Sequence, residues 1–219
     1  GAVALNTAEH NAYIQGANGC FRPNDSLSRA EAVALLARLS VDAQGQAIAL
    51  DAAGSGGFSD VEAGAWYAPY VAFARQYGVA SGYTDGTFRP DRPVSRAELV
   101  KLLSGYFDLS GGNTQTGFPD VPESHWAAPA VAYAAGAGWV SGYQDGTFRP
   151  DRPVSRAEAV KLLNRALGRS PDPECPAANP FADVEETHWA WGEILEAAFS
   201  HTFARTEEGE TWIEVRTEG

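Results

Sequence analysis

Three short runs of the chain set an arginine between two helix-capping side chains: Ser28-Arg29-Ala30-Glu31, Ser95-Arg96-Ala97-Glu98 and Ser155-Arg156-Ala157-Glu158. In a capping box the serine hydroxyl accepts from the backbone N–H three residues on, and the glutamate reaches back to the serine N–H. Each arginine then occupies the first helical position, beside N–H groups and a dipole that favour an anion, and its planar fork suits a carboxylate or a phosphate. The competing reading pairs each arginine with an aspartate of a neighbouring segment, Asp60, Asp120 or Asp183. Trp66, Trp126 and Trp189 are similarly two-sided: an aromatic at a helix start serves as a sugar platform or, more commonly, as core.

Other chemistries fit poorly. A glycosidase needs two carboxylates facing one sugar, but Glu31, Glu98 and Glu158 are committed to capping. His10, His125, His188 and His201 lack metal-ligand spacing, and Asp85-Gly86 and Asp145-Gly146 do not continue as calcium loops. No catalytic residue, metal or cofactor is expected.

The elements that position the arginines are repeated. Ser81–Glu98 recurs at Ser141–Glu158 with one change, at Gln144, and the period is 60 residues, Phe58, Asp60, Trp66 and Gly82 returning as Phe118, Asp120, Trp126 and Gly142. A degenerate copy opens the chain at Tyr13–Glu31, with Gly16-Ala17-Asn18-Gly19 in the turn, and a partial copy closes it at Phe181–Ala190. Within a repeat, apolar residues at 66, 70, 73, 74 and 77 predict a helix stopped by Gly78. Asp85-Gly86 predicts a tight turn, and the capping box starts a second helix with Leu99, Val100, Leu102, Leu103 and Tyr106 on its apolar face and Gly105 near its end. The expected organisation is one assembly over 1–219: unit 1 at 13–42, completed by 181–202; unit 2 at 58–107; unit 3 at 118–167; and a 203–219 tail forming a small hairpin, pairing with Val3–Leu5. The helix around Trp189, Ile194 and Leu195 is expected beside residues 29–39.

Phe-x-Asp-Val, His/Ala-Trp, Gly-Tyr-x-Asp-Gly-Thr-Phe-Arg-Pro and Ser-Arg-Ala-Glu, in that order, resemble the S-layer homology (SLH) domain of bacterial surface proteins, over nearly everything from Tyr13 to Thr202. The resemblance implies a mainly α, pseudo-threefold assembly of three helix-loop-helix units, closed by the C-terminal half-repeat. It implies non-covalent attachment to a secondary cell-wall polysaccharide bearing pyruvate ketals, held in grooves between units. Carried over by residue, the ligand set is Arg29, Arg96 and Arg156 with Trp66, Trp126 and Trp189, Asp60, Asp120 and Asp183, and the backbone at Gly82 and Gly142. Arg29 is expected to matter least, because the turn of its own repeat lacks the tyrosine.

The composition, 44% apolar and 11% aromatic, is that of a folded protein. The 219 residues carry 28 acidic and 16 basic side chains, a net charge of −12, which argues against nucleic acid. Basic residues nevertheless cluster at Arg89, Arg92, Arg96 and Lys101 and again at Arg149, Arg152, Arg156 and Lys161, so the local field can favour an anion. No apolar run is long enough for membrane insertion. The start Gly1-Ala2-Val3 reads as part of a larger surface protein. Cysteine arithmetic leaves Cys20 and Cys175 as either a pair or two thiols; the extracellular setting implied by the resemblance favours a disulfide. The rival functions are a protein-binding, lattice-forming module and, further off, a glycan-active enzyme.

Overall fold

In a computed structural model of the chain, residues 2–51 and 54–216 are described. The fold is mainly helical, with six helices and two small sheets among those residues: β1 (Ala4–Leu5), α1 (Arg29–Arg38), β2 (Ser40–Val41), α2 (Ala68–Gln76), α3 (Arg96–Ser104), α4 (Ala128–Gly136), α5 (Arg156–Ala166), α6 (Trp191–Ala198), β3 (Ser200–Thr206) and β4 (Gly209–Arg216). Contacts group the chain into two compact units, Gly1–Leu5 with Ser26–Val154, and Asn6–Asp25 with Ser155–Gly219.

All three capping boxes form. Ser28, Ser95 and Ser155 accept from the N–H of Glu31, Glu98 and Glu158, and each glutamate returns to its serine N–H. α2 and α4 have no side-chain cap and instead start with a proline in the first turn, where its missing N–H costs nothing. Each helix that follows a tryptophan packs on the capped helix before it in sequence: α2 on α1, α4 on α3, α6 on α5. The helix after Trp189, expected beside residues 29–39, therefore has α5 as its partner. Ile194 and Leu195 are fully buried there, and the Asn164 amide of α5 ties the pair by donating to the Glu193 carbonyl at 3.0 Å.

In the first unit, three extended residues that precede the boxes close a cycle. Leu27 N–H donates to the Val154 carbonyl at 3.0 Å, Val154 N–H to the Val94 carbonyl at 2.9 Å, and Val94 N–H to the Leu27 carbonyl at 2.9 Å. All three side chains are buried, so these backbone groups exchange hydrogen bonds where no water reaches them.

β3 and β4 pair as an antiparallel hairpin over Ser200–Arg216, starting three residues before the expected tail, with a register irregularity at Thr202/Phe203. Its expected pairing with Val3–Leu5 does not form: Ala4 and Leu5 pair antiparallel with Val41 and Ser40. The expected disulfide is not made either. Cys20 and Cys175 are free thiols, each fixed in its own turn, Cys20 by reciprocal backbone bonds with Ala17 and Cys175 by its N–H on the Asp172 carbonyl.

Candidate functional site: a basic, tryptophan-edged groove

The Asp-Gly turn of each complete repeat is an anchored loop without paired strands. Tyr83 N–H donates to the Thr87 carbonyl at 2.8 Å, and Asp85 Oδ1 accepts from the Thr87 N–H at 3.0 Å and hydroxyl at 2.6 Å. Those two bonds, with that from Arg89, pull the exposed Asp85 carboxyl down to about 2. The chain then passes through a left-handed residue, Arg89 at φ 58°, repeated at Arg149 (57°) and Arg22 (59°). A non-glycine residue there costs of order 1 kcal/mol or more.

The aspartates hold this strained corner. Asp60 accepts from the N–H groups of Phe88 and Arg89, both at 2.7 Å; Asp120 from Phe148 at 2.8 Å and Arg149 at 2.7 Å; and Asp183 from Phe21 and Arg22, both at 2.7 Å. Asp60, Asp120 and Asp183 thus brace backbone, each carboxylate accepting from two successive N–H groups of a turn. Asp183 does this for the turn of the degenerate first repeat, so the partial copy at the C-terminus supplies what the opening copy lacks.

The glycines before the turns are packing positions. A Cβ on Gly142 would lie 2.6 Å from Phe118 Cε1 and 3.0 Å from the Thr147 carbonyl oxygen; Gly82 faces Phe58 in the same way, and Gly16 faces Phe181 at 2.6 Å. Close approach of a phenylalanine edge requires these residues to be glycine.

Each capping-box arginine reaches onto the turn of another repeat. Arg29 donates through Nε to the Phe88 carbonyl at 2.9 Å and through Nη2 to the Ser81 carbonyl at 3.2 Å. Arg96 meets the Phe148 and Ser141 carbonyls at 2.9 and 3.3 Å, and Arg156 the Phe21 and Gln15 carbonyls at 2.9 and 2.9 Å. The guanidinium carbons lie over aromatic rings: Arg29 over Tyr83 and Phe88 at 5.0 and 4.7 Å, Arg96 over Tyr143 and Phe148 at 4.9 and 4.7 Å, Arg156 over Phe21 at 4.9 Å. Burial lowers Arg29 from its ordinary value, with Tyr83 and Glu98 opposing; a guanidinium remains charged at neutral pH regardless.

The helix N-termini themselves are not vacant anion sites, as the sequence suggested. The N–H of Arg29 donates to the Arg92 carbonyl and that of Ala30 to the Pro90 carbonyl, both at 2.9 Å; Arg96 and Ala97, and Arg156 and Ala157, repeat the pattern. Serine takes the third N–H. Any anion must therefore be met by side chains.

The tryptophans are not core. Trp66, Trp126 and Trp189 are 57, 55 and 55 % exposed. Alanines just after them carry the packing instead: Ala68, Ala127, Ala128 and Ala190 are buried.

In the first unit these pieces meet in an open groove of 790 Å³ lined by Arg29, Gly82, Tyr83, Lys101 and Trp126 among others. Of the residues expected from sequence, Arg29, Gly82 and Trp126 are brought together there; Asp60 braces the turn behind it. Tyr83 and Lys101 were absent from the expected set. Lys101 had a legible signal, since it recurs as Lys161 at the same distance after the arginine, and Lys161 places its ammonium 5.4 Å from the centre of the Trp189 ring. Glu98, also on the wall, is occupied: it accepts from Ser95 N–H at 2.8 Å and from Arg92 Nη1 at 2.6 Å. Arg92 Nη1 also donates to the Tyr83 hydroxyl at 2.5 Å, which fixes that ring over the groove.

Residues 57–100 and 117–160 match the S-layer homology domain. Cell surface glycoprotein 1 of Acetivibrio thermocellus is 33% identical over 94% of this chain and 9% of its own length; the cellulosome-anchoring protein of the same organism is 31% identical over 93% of this chain and 46% of its own. The surface-layer 125 kDa protein of Lysinibacillus sphaericus is 30% identical over 70% of the chain and 13% of its own length. The chain thus spans less than half of these curated relatives. With its repeated turns, boxed arginines and surface-protein relatives, the chain belongs to the S-layer homology domain family.

Proposed function

We propose that this chain anchors a larger surface protein non-covalently to the bacterial cell wall by holding an acidic secondary cell-wall polysaccharide, pyruvylated by the family's pattern, in the groove over Arg29. The observation that carries the reading is the 790 Å³ groove in which two cationic side chains, Arg29 and Lys101, face the same space as an exposed tryptophan, Trp126. A guanidinium and an ammonium suit the carboxylate of a pyruvate ketal, each charge-assisted contact contributing about 1.5–3 kcal/mol. The indole supplies a flat apolar face for a sugar ring. Glu98, with both oxygens engaged, is poorly suited to act as a catalytic acid, which favours binding over hydrolysis. The family and its surface-protein relatives place the module at the cell surface.

We also read the repeats as three units about a pseudo-threefold axis, at 13–42 with 181–202, 58–107 and 118–167. The Leu27–Val94–Val154 hydrogen-bond cycle supports this, as does the order in which Arg29, Arg96 and Arg156 reach the turns of the second, third and first repeats.

Cosedimentation with purified wall polysaccharide tests the function. The chain should pellet with native polysaccharide and stay in solution with polysaccharide stripped of its pyruvate by mild acid. Equal binding to both would remove the carboxylate from the reading. Self-association without any polysaccharide binding would replace it with a lattice-forming module.

A further inference from the structure

The second unit also gathers two histidines and a glutamate that no role above uses. His10 lies in the opening segment, Glu196 on α6 and His201 on β3, and their exposures are 1, 0 and 1 %. Three donor atoms converge: His10 Nδ1 and Glu196 Oε1 are 2.9 Å apart, His201 Nε2 and Glu196 Oε1 3.2 Å, and His10 Nδ1 and His201 Nε2 3.1 Å. We propose that His10, Glu196 and His201 form a buried site for a divalent transition-metal ion, zinc by its donor set, which clamps the opening segment to the C-terminal hairpin.

The spacing is that of ligands. Donors at ~2.0–2.1 Å from a tetrahedral ion stand about 3.3 Å from one another, and the three sides of this triangle lie just under that value.

The surrounding bonds turn lone pairs inward. The His201 Nδ1 atom is 2.9 Å from the Phe199 carbonyl oxygen; a carbonyl only accepts, so Nδ1 carries the proton and Nε2 presents its lone pair. Glu196 Oε2 accepts from the Trp212 indole N–H at 2.9 Å, which leaves Oε1 pointing at the two rings with no hydrogen bond of its own. A buried carboxylate oxygen without a donor is costly. The rings are wedged in place, His10 stacked on Phe203 at 3.7 Å and His201 on Trp212 at 3.8 Å.

Charge is balanced as well. The Glu210 carboxylate stands 3.9 Å from His10 Nδ1, held by Ser170 N–H at 2.9 Å and Arg205 Nε at 3.0 Å, so a dication would sit among two carboxylates. Two imidazoles and a carboxylate suit zinc better than calcium or magnesium, which take oxygen ligands. The rival occupant is a single proton on His10 Nδ1, shared between Glu196 and His201.

A clamp here has a consequence along the chain. The segment that begins at His10 carries Gln15 and Phe21, whose carbonyls seat Arg156 at 2.9 Å each. Fixing His10 fixes the start of that segment.

The test is a titration of zinc sulfate into the intact chain after chelator treatment, followed by calorimetry and by hydrogen exchange of residues 6–25. One equivalent should bind, slow exchange in that segment, and raise the unfolding temperature; cobalt(II) should give the absorption of a tetrahedral site. His201→Ala and His10→Ala should lower zinc affinity at least a hundredfold. Should either variant fail to fold, the wild-type titration decides alone. No stoichiometric binding, or binding that leaves exchange at 6–25 unchanged, would overturn the proposal in favour of the shared proton. Neither result bears on polysaccharide binding.

Discussion

Arg29 lies over the ring of Tyr83, its guanidinium carbon 5.0 Å from the ring centre, although one belongs to the first repeat and the other to the second. The arginine of one repeat thus sits on the turn of another. The sequence charges the missing tyrosine of the first turn to Arg29, whereas Arg29 itself has a tyrosine beneath it. Ala17 stands in that turn where Tyr83 stands in the second repeat, and the arginine above it is Arg156, stacked on Phe21 at 4.9 Å. Arg156→Ala should therefore cost less affinity for wall polysaccharide than Arg29→Ala.

Gly142→Ala should destabilise the fold by about 1–3 kcal/mol, because its Cβ would stand 2.6 Å from the Phe118 ring and 3.0 Å from a backbone oxygen. Urea unfolding checks this; an unchanged midpoint would show that Phe118 moves aside freely.

Asp120→Ala removes two charge-assisted acceptors at 2.8 and 2.7 Å and leaves Arg149 in its left-handed conformation without support. A loss of about 2–4 kcal/mol is expected. Pairing it with Arg149→Gly, which relieves the left-handed strain, should recover part of that loss in the same measurement.

The exposed turn carboxyls of Asp85 and Asp145 are both pulled down to about 2, Asp85 by the Thr87 hydroxyl and Arg89, Asp145 by the Thr147 hydroxyl and N–H. Their folded values lie below the ordinary value of 3.8. The stabilisation is therefore fully present above that value and disappears as pH falls through about 2. Carboxyl-carbon NMR titration should place both midpoints near 2, and Thr147→Val should move Asp145 upward while leaving Asp85 in place.

Both cysteines should be alkylated without reductant, as free thiols are. Burial raises the Cys175 thiol above its ordinary value, so its reaction should quicken only at alkaline pH, since the thiolate is the nucleophile. A mass consistent with one unreactive pair would restore the disulfide.

Local features were legible in the sequence because local rules govern them. The serine and glutamate of each box specify a cap within four residues, and the 60-residue period separates one repeat from the next. What was not legible is which copy meets which. Period alone does not say that α6 turns to α5, that Arg29 seats on Phe88, or that Asp183 serves Phe21, since identical motifs offer identical partners. The helix N–H groups looked available for an anion because their acceptors, the carbonyls of Arg92 and Pro90, lie some 60 residues away. The tryptophans looked like core because hydrophobicity does not reveal that alanines behind them already fill the helix interface. His10 and His201 carry no spacing signal at all, 191 residues apart.

The most direct test of the groove is calorimetric titration of pyruvylated wall polysaccharide into the wild-type chain and into Arg29→Ala. Loss of a charge-assisted contact predicts at least a tenfold weaker affinity for the variant, about 1.5–3 kcal/mol. An affinity unchanged by Arg29→Ala, in a variant that unfolds at the wild-type temperature, would contradict the assignment of this groove as the polysaccharide site.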